Sequence, residues 1–298
     1  MNCNQGEIRK TLVDHLSTIF PHDDVSSAEF VRIGGMSNKN YKVTLNGSVY
    51  VLRVPGNGSD GMVDRSNEEF NAQQGCRIGI NPMVRYFDPA TGLKLVDFIH
   101  NAQTMTPQFI QRPDVMADVA EIYRKLHGSR IVLKNEFNIF REIEKYDHLL
   151  DRVGAQMYDG WEDVRARVMS LEEHLATLGT ELCACHNDAV PENFIQAEDG
   201  TLYLIDWEYS GNNDPMADFA ALFLESDFSK ENQDTVLNHY YKGDIPKHAR
   251  EKIICYQILW DYLWAQWTVI KEACGDDFGT YGTDRYNRAI RNLDIIGK

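Results

Sequence analysis

The most informative part of the chain is residues 183–220, which read CACHNDAVPENFIQAEDGTLYLIDWEYSGNNDPMADFA. Asp188 is followed five residues later by Asn193, and Asp206 comes directly after the apolar run Leu202–Ile205. A Glu-Asp-Gly turn between two short apolar runs predicts a strand–turn–strand unit. We therefore expect Asp188 and Asn193 in one loop between strands, and Asp206 at a strand end, where its carboxylate emerges at the sheet edge.

These residue types suit phosphoryl transfer. Mg²⁺ prefers carboxylate and amide oxygens together with substrate phosphates, and it offsets the charge of the transferring phosphoryl group. Asp206 and Asn193 would supply such oxygens, leaving Asp188 to accept the proton of an attacking hydroxyl. The spacing matches that of protein kinases, but Asp206 lies in Asp-Trp-Glu rather than Asp-Phe-Gly, which disfavours an ordinary protein kinase. Asp, Asn and Pro also form ordinary turns, so the spacing by itself fits a solvated acidic loop as well.

Strand patterns dominate the first hundred residues. Phe30–Ile33 reads as a strand, and it is followed by a glycine-containing loop. Two further β-rich runs are joined by Asn46-Gly47, the pair typical of a type I′ hairpin turn, which needs two positive φ angles. Helical periodicity predicts helices over 7–20 and 62–78.

Helical patterns dominate the remainder of the chain. Outside the strand–turn–strand unit, they cover residues 113–127, 136–150, 161–178 and most of the chain from 215 onward. The segregation of strands and helices predicts an α+β fold with two lobes: a β-rich N-terminal lobe over 1–99 and a helical lobe over 100–298. The cleft between them is the expected ligand site.

Composition and charge narrow the functional class. The 298 residues include 30 Lys and Arg against 45 Asp and Glu, for a net charge of −15. This balance argues against nucleic-acid binding and suits a small cationic ligand. No apolar run approaches membrane-spanning length and no signal-peptide pattern appears, so we expect no membrane insertion and a cytoplasmic protein. The six cysteines form no CxxC pair, which speaks against a disulfide framework and a zinc site and favours reduced thiols.

With these motifs, the sequence resembles the choline/ethanolamine kinase family within the wider aminoglycoside phosphotransferase-like superfamily, and is most similar to bacterial choline kinases of the Lic type. The likeness covers essentially the whole chain and implies a protein-kinase-like bilobal fold, with ATP-dependent phosphorylation of a small alcohol in the presence of Mg²⁺. The motifs that carry it are His186-Asn187-Asp188 with Asn193, Ile205-Asp206-Trp207-Glu208-Tyr209, and Asp214-Pro215 with Asp218-Phe219-Ala220.

The resemblance implies roles for the loop residues. Asp188 would be the general base and would touch the substrate hydroxyl, while Asn193 and Asp206 would bind Mg²⁺. His186 would hold the loop backbone in a structural role. Asp218 would brace the catalytic loop, although it also opens an apolar helical run that it could cap.

The phosphate side of the nucleotide site is expected near Gly34, Gly35, Ser37 and Asn38. Glycines between two strands let the backbone approach phosphates closely. A Gly-Gly pair is also an ordinary hairpin turn, and the stretch is not a G-x-G-x-x-G motif. The resemblance to the kinase family favours the phosphate-binding interpretation.

Arg53 occupies the position at which protein kinases have a lysine. An arginine at this position is similar to what choline kinases show. Its expected partner is Glu68 in the next helix, with Glu69 as the alternative. Glu68 would otherwise be an exposed helical residue. The segment 95–100, which joins the lobes, is expected to carry the backbone groups that meet adenine.

Substrate recognition is expected from an aromatic segment. A quaternary ammonium has no N–H to donate, so aromatic faces must bind it. Residues 259–267 read LWDYLWAQW, and Trp264 and Trp267 share one helical face. Aromatic stripes at this spacing are also typical of a protein core.

The resemblance places Trp264, Trp267 and Tyr209 against the substrate ammonium. It also implies a further tyrosine near the C-terminus, for which Tyr281 and Tyr286 are both candidates. Glu208, two residues after Asp206, could assist the cation or hydrogen-bond the loop.

Taken together, the sequence predicts in-line transfer of the ATP γ-phosphoryl group to choline, giving phosphocholine. Ethanolamine, thiamine and aminoglycosides remain alternative substrates. A primary ammonium would rely more on carboxylates, and an aminoglycoside would need a broad acidic pocket. A choline-binding pseudokinase without activity is the alternative from another class. The oligomeric state is left open.

Overall fold

The structure is a computed structural model that describes residues 5–34, 38–56 and 61–296. Gly35 and Ser37 of the expected phosphate loop lie outside these ranges. None of the helices within the described ranges combines the length and the hydropathy needed to cross a membrane.

Among the described residues, the N-terminal part forms an antiparallel sheet in the strand order β1-β2-β3-β5-β4. Its strands are, in chain order, β1 (Glu29–Gly34), β2 (Asn38–Leu45), β3 (Ser48–Pro55), β4 (Val84–Phe87) and β5 (Lys94–Asp97). The predicted Asn46-Gly47 hairpin is confirmed: φ is 50° at Asn46 and 78° at Gly47, and Leu45 pairs with Ser48. These angles match the type I′ turn that suits the twist of paired strands.

Helix α1 (Gln5–Ile19) covers one face of this sheet. Its Leu12 and Leu16 lie in one buried cluster with Val43 and Leu52 of the central strands. Burial of a leucine side chain stabilises a fold by about 2 kcal/mol. The sheet therefore has a small hydrophobic core of its own on this face.

The helical part is built around a larger core. Helix α10 lies at its centre and packs against α5, α8 and α11. After α2 (Arg65–Arg77), the helices are α3 (Pro107–Ile110), α4 (Pro113–His127), α5 (Ile139–Val153), α6 (Trp161–Met169), α7 (Leu171–Leu178), α8 (Pro215–Glu225), α9 (Lys230–Tyr241), α10 (Ala249–Ala273) and α11 (Tyr281–Ile296).

Several of the predicted helices have different ends in the structure. The helix expected over 7–20 is α1 (Gln5–Ile19), and the one expected over 62–78 begins only after its cap, Asp64. The helix expected over 136–150 begins only after Asn138, whose side chain accepts hydrogen bonds from two N–H groups of the first turn. The helix expected over 161–178 is instead divided into α6 and α7. At the division, the Ser170 hydroxyl donates to the carbonyl of Arg167 at 2.7 Å, a local bond of the kind that bends helices.

Two small sheets frame the segment singled out above. The predicted strand–turn–strand unit is confirmed, because β8 and β9 pair antiparallel with Phe194 opposite Leu204. A second pair joins β7 to β10. These strands are β6 (Gln103–Thr104, beside β8), β7 (Cys183–Cys185), β8 (Phe194–Gln196), β9 (Leu202–Leu204) and β10 (Gly211–Asn213).

Helix α2 connects the two parts of the molecule. Its Ala72 belongs to the core of the helical part. A Cβ atom added to Gly75 would lie 2.5 Å from the indole ring of Trp207. Trp207 is fully buried, and its Nε1 donates to the carbonyl of Leu204 at 2.9 Å. The absence of a side chain at Gly75 therefore lets α2 lie directly on the segment that carries Asp206.

We expect Gly75→Ala to destabilise the protein by about 2 kcal/mol, measured by urea unfolding. Helix propensity alone would make this substitution stabilising by about 1 kcal/mol, but overpacking against a buried ring costs about 1–3 kcal/mol. Combining it with Trp207→Phe should recover at least about 1 kcal/mol relative to the sum of the two single changes. A stabilised Gly75→Ala variant would contradict the close packing.

Candidate active site

The loop after β7 holds Asp188 and Asn193 in contact. The Asn193 amide nitrogen donates to the backbone carbonyl of Asp188 at 2.8 Å and to its carboxylate at 3.3 Å. Asn193 is buried and Asp188 is half-buried. Because the amide nitrogen is engaged within the loop, the amide oxygen of Asn193 is the atom that can face a cation.

Asp206 lies just beyond β9 with φ at +66°, a conformation that non-glycine residues rarely adopt. The preceding N–H, that of Ile205, donates to the backbone carbonyl of Asn193 at 2.9 Å. The Asp206 side chain is 35% exposed, and its carboxylate lies 3.6 Å from Arg53. Residues held in such strained conformations cluster at functional sites. The backbone thus ties the strand-end aspartate to the loop that carries the other two polar groups.

Three carboxylates gather around this point, those of Glu68, Asp206 and Glu208, each with an oxygen within 4.8 Å of the others. Arg53 lies between them: its Nη1 is 2.5 Å from Glu68 and 3.0 Å from Glu208. Arg65 contacts the same two acids at 2.7 and 2.5 Å. The expected contact between Arg53 and Glu68 is therefore present, within a larger ionic cluster.

Glu68 is fully buried, contrary to the alternative that it is an exposed helical residue. Burial alone would raise its pKa, but Lys94, whose Nζ lies 2.8 Å away, and Arg53 lower the pKa well below its usual range. Glu69 is half-buried at the next position. The ionised form of Glu68 is thus strongly favoured at neutral pH.

The pKa values of Asp188 and Asp206 are instead raised. Burial raises the pKa of Asp188 well above its usual value, and the charges of Asp206 and Glu225 add to the effect. Burial and repulsion from Glu208 raise the pKa of Asp206 to about 6, although Lys94 and Arg53 oppose them. The positive groups around these two carboxylates therefore do not balance their negative charge, and a bound divalent cation would do so. The donor set, a carboxylate and an amide oxygen beside a cleft, fits Mg²⁺.

His186 and Asp218 hold the loop from behind. His186 is fully buried, and its Nε2 donates to the carbonyl of Ile205 at 2.8 Å, next to Asp206. The carboxylate of Asp218, also fully buried, accepts the backbone N–H groups of His186 at 3.0 Å and Asn187 at 2.6 Å. These contacts fit the structural roles expected for both residues.

The prediction that Asp218 could cap the helix that follows it was wrong. Asp214 caps α8, since its side chain accepts the N–H of Met216 at 2.9 Å. Asp218 lies within the first turn, where its carboxylate reaches the catalytic loop instead.

A cleft of about 500 Å³ lies between the sheet and the helical part and ends at Asp206. Its size is typical of small-molecule sites. The segment Phe98–Ala102 forms one side, and apolar side chains from both parts, including Val51 and Ile195, line the walls. The expected adenine-binding segment 95–100 therefore overlaps the lining of this cleft.

Two residues of the expected phosphate loop are described. Gly34 ends β1 with φ at +125°, and it is exposed. Asn38 is buried, and its side-chain amide donates to Glu208 at 2.8 Å. Asn38 therefore faces the acidic cluster.

An aromatic pocket adjoins the loop. The ring of Tyr209 meets Trp264 edge-on at 5.0 Å, and Trp264 meets Trp267 at 6.2 Å and 89°. Trp267 in turn contacts Phe278 at 4.9 Å. Trp264 is buried and Trp267 is half-buried. The two tryptophans and Tyr209 thus form one continuous aromatic surface, to which Phe278 adds a ring that the sequence analysis did not single out.

The two C-terminal tyrosines differ in position. Tyr286 is buried, packs 5.1 Å from Tyr158, and donates its hydroxyl to the backbone carbonyl of Asp159. Tyr281 is 37% exposed, and the charge of Asp188 acts on its phenol. Of the pair, Tyr281 is the one that is partly exposed, and Tyr286 is packed into the core.

Glu208 faces residues of the N-terminal part rather than the aromatic rings. Its Oε1 accepts from Asn38 and lies within 3.0 Å of both Arg53 and Arg65. This oxygen is therefore engaged in the ionic cluster and is not open to the aromatic pocket.

Several residues of the site were not found from the sequence. Lys94 was missed because only strand pairing places it opposite Arg53. Arg65 carried no signal beyond an ordinary helix start. Arg285, whose guanidinium lies 4.4 Å above the ring of Tyr281 and also pairs with Glu225, stands in an unremarkable amphipathic helix.

A sheet beside a helical part, with a strand-end Asp at the cleft between them and a loop Asp–Asn pair joined to it through the backbone, defines a phosphotransferase of the protein-kinase-like class. A model of one family, choline/ethanolamine kinase, matches residues 31–255. The chain belongs to the choline/ethanolamine kinase family, and is accordingly an ATP-dependent kinase acting on a small molecule.

Individual relatives agree with this assignment. Protein LicA of Haemophilus influenzae is 34% identical over 280 residues, covering 91% of this chain and 81% of the relative. The crystal structure of choline kinase LicA from Streptococcus pneumoniae has a TM-score of 0.87 at 39% identity and covers 97% of this chain and 99% of that chain. A crystal structure of LicA in complex with AMP has a TM-score of 0.83 at 37% identity, covering 96% and 98%.

We expect Glu68→Gln to lower the free energy of unfolding by about 3 kcal/mol at pH 7, because it leaves Arg53 and Lys94 buried without their shared anion. A lowered pKa in the folded state means that Glu68 stabilises the protein above its unfolded pKa of about 4.3 and that this contribution is lost as the pH falls further. The difference between wild type and variant should therefore be constant above about pH 5 and shrink below about pH 4, as measured by urea unfolding.

Glu69→Gln is the matched control, and we expect it to change stability by less than about 0.5 kcal/mol. Equal effects of the two substitutions, or a pH-independent difference between Glu68→Gln and wild type down to about pH 3, would contradict the assigned charge state.

Proposed function

We propose that this protein transfers the γ-phosphoryl group of ATP to choline, with Mg²⁺, giving phosphocholine and ADP. The observation that carries the proposal is the adjacency of the acidic loop and the aromatic pocket. The side-chain amide of Asn187, next to Asp188, donates to the backbone carbonyl of Tyr209 at 3.0 Å, and the ring of Tyr209 meets Trp264. A hydroxyl and a trimethylammonium group of one small molecule could thus be bound by neighbouring parts of the chain.

ATP is assigned to the cleft that ends at Asp206. The apolar walls around Val51 and Ile195 suit adenine. A relative with 37% sequence identity forms a complex with AMP, which supports nucleotide binding by this fold. Arg53 lines the cleft beside Asp206 and is assigned to the phosphates, with Asn38, which contacts the same Glu208 as Arg53, and with Gly34. Gly35 and Ser37, which lie outside the described residues, remain part of this proposal. Glu68 and Glu208 hold Arg53 in place for this task.

Asp206 and Asn193 are assigned as the residues that hold Mg²⁺. When bound there, the ion would offset the charge that develops on the phosphoryl oxygens. The raised pKa of Asp206 supports the assignment, since the site has a deficit of positive charge.

Asp188 is assigned as the general base. It accepts the proton of the choline hydroxyl while the hydroxyl oxygen forms its bond to the γ-phosphorus and the bond to the ADP oxygen breaks. The hydrogen bond from the Asn193 amide orients the carboxylate. Asp218 and His186 keep the loop backbone in register with Asp206.

Choline is favoured over ethanolamine by the nature of the pocket. Trp264, Trp267 and Tyr209 present aromatic faces and edges, which suit a cation that donates no hydrogen bonds. Tyr281 is assigned as the further aromatic contact. Glu225 pairs with Arg285, the residue whose guanidinium lies over the Tyr281 ring, and is therefore not free to receive a primary ammonium.

We further propose 1–99 as the nucleotide-binding lobe and 100–298 as the catalytic and substrate-binding lobe. The sheet of β1–β5 and its own hydrophobic cluster support the first, although α2 also packs on the larger core. Dependence on ATP favours the cytoplasm as the place of action.

The direct test is ADP release with Mg-ATP and choline, ethanolamine, thiamine or kanamycin. We expect turnover with choline. Turnover with another alcohol alone would refute the assignment of the aromatic pocket to choline, and binding of choline without turnover would identify a pseudokinase.

We expect Asp188→Asn to lower kcat by at least about 100-fold, the usual contribution of a positioned general base. ATP affinity, measured by calorimetry, should change little because the cleft walls are untouched. Asp199→Asn, in the exposed turn before β9, is the control and should retain activity. A variant of Asp188 with kcat within tenfold of wild type would exclude it as the base.

We expect Trp267→Leu to raise the KM for choline about tenfold, since a partly desolvated cation–aromatic contact contributes about 1–2 kcal/mol. The KM for ethanolamine should rise less, and the KM for ATP should not change. Trp161→Leu, which removes a tryptophan that stacks on Tyr262 outside the proposed pocket, is the matched control. A rise in KM of equal size in both variants would argue against the ammonium site.

A further inference from the structure

Behind the catalytic loop, two thiols and an imidazole converge. Cys183 and Cys185 lie on the same face of β7, and their sulfur atoms are 3.7 Å apart. His127, the last residue of α4, places a ring nitrogen so that it and the two sulfurs all lie within 4.8 Å of one another. The third group comes from a distant part of the chain, so no sequence spacing reveals the cluster.

The spacing of the two sulfurs suits a tetrahedral metal ion. With Zn–S bonds of about 2.3 Å and a tetrahedral angle, two thiolate ligands stand about 3.8 Å apart. The structure already holds Cys183 and Cys185 at this separation. Little movement of the strand is therefore needed to place both sulfurs on one ion.

The imidazole is oriented as in many metal sites. The Nε2 atom of His127 lies 2.9 Å from the carboxylate of Asp218, which accepts a hydrogen bond from it. Nδ1 lies 2.9 Å from the hydroxyl of Tyr240. A metal-binding histidine commonly donates its second N–H to a carboxylate, which fixes the tautomer and makes the other nitrogen a better ligand. To bind an ion, His127 releases one of these two hydrogen bonds, to Asp218 or to Tyr240.

We propose that Cys183, Cys185 and His127 form a binding site for a thiolate-preferring divalent cation of the zinc class, separate from the magnesium residues. Two sulfurs and one nitrogen leave the fourth tetrahedral position to water. Cys183 is half-buried and provides the route of entry, whereas Cys185 and the His127 side chain are buried. Binding displaces the thiol protons, so affinity rises with pH.

Occupancy of this site would be transmitted to catalysis. Cys185 directly precedes His186, and Asp218, the partner of His127, also accepts the N–H groups of His186 and Asn187. A bound ion would fix His127, the partner of Asp218, and so alter the contacts through which Asp218 holds the loop that carries Asp188. We therefore expect inhibition that does not compete with Mg²⁺, ATP or choline.

The test titrates reduced, full-length protein with Cd²⁺ in excess Mg²⁺ and records the ultraviolet charge-transfer band of cadmium–thiolate bonds. We expect one tight equivalent per chain and competition by Zn²⁺. Cys183→Ser and Cys185→Ser should each weaken binding on the order of 100-fold or more, because the loss of an outer partner alone costs 10–100-fold. His127→Gln should weaken it as well, with the thermal unfolding midpoint showing that each variant is folded.

Cys76→Ser, which removes a half-buried thiol elsewhere, is the matched control and should bind as wild type does. Turnover of wild type should fall as the band saturates, and turnover of Cys183→Ser should resist Cd²⁺. Absence of the band, its persistence in the Cys183→Ser/Cys185→Ser double variant, or an equal loss in Cys76→Ser would overturn the proposal. Because the band is recorded without substrate, this result is independent of whether choline is the substrate.

Discussion

Glu68 is a carboxylate without solvent exposure on which Arg53, Arg65 and Lys94 converge. A buried anion is tolerated only when it is paired, and removal of one member leaves the remainder uncompensated. Arg53 extends the cluster to Glu208, two residues from Asp206. This one ionic cluster therefore sets the position of β3 and α2 relative to the strand-end aspartate, and the geometry of the cleft depends on it.

The catalytic loop depends on a second, opposite arrangement. Asp218 accepts hydrogen bonds from two backbone N–H groups of the loop and from an imidazole of α4, whereas Asp188 in the loop and Asp206 at the cleft have raised pKa values. Hydrogen bonds to an anion stabilise its charged form, while burial beside other acids destabilises it. Asp218, which organises the loop, thus finds its hydrogen-bond donors within the protein. The charges of Asp188 and Asp206 are left for a bound ligand to balance.

Much of the fold could be predicted because local signals agreed with it. The Asn46-Gly47 turn specified its hairpin, and the strand–turn–strand unit around β8 and β9 was evident from alternating apolar runs. Residues 161–178 were predicted as a single helix because the periodicity of apolar side chains carries no information on a local hydrogen bond, such as that from Ser170 to the Arg167 carbonyl. The cap of α8 was misassigned for a related reason, since Asp214 and Asp218 both suit a first turn.

By itself the sequence determined the residue types at the site, which are an Asp–Asn loop pair, a strand-end Asp and an aromatic stripe. Their chemistry could be predicted because it depends on the types of residue and on their spacing along the chain. Only the tertiary structure decided which groups meet across the chain. It placed Lys94 beside Glu68, paired Glu208 with Arg53, buried Tyr286 while Tyr281 stayed partly exposed, and brought His127 to Cys183 and Cys185. Such contacts join residues far apart in sequence, and their formation is governed by strand register and helix packing, which no local pattern encodes.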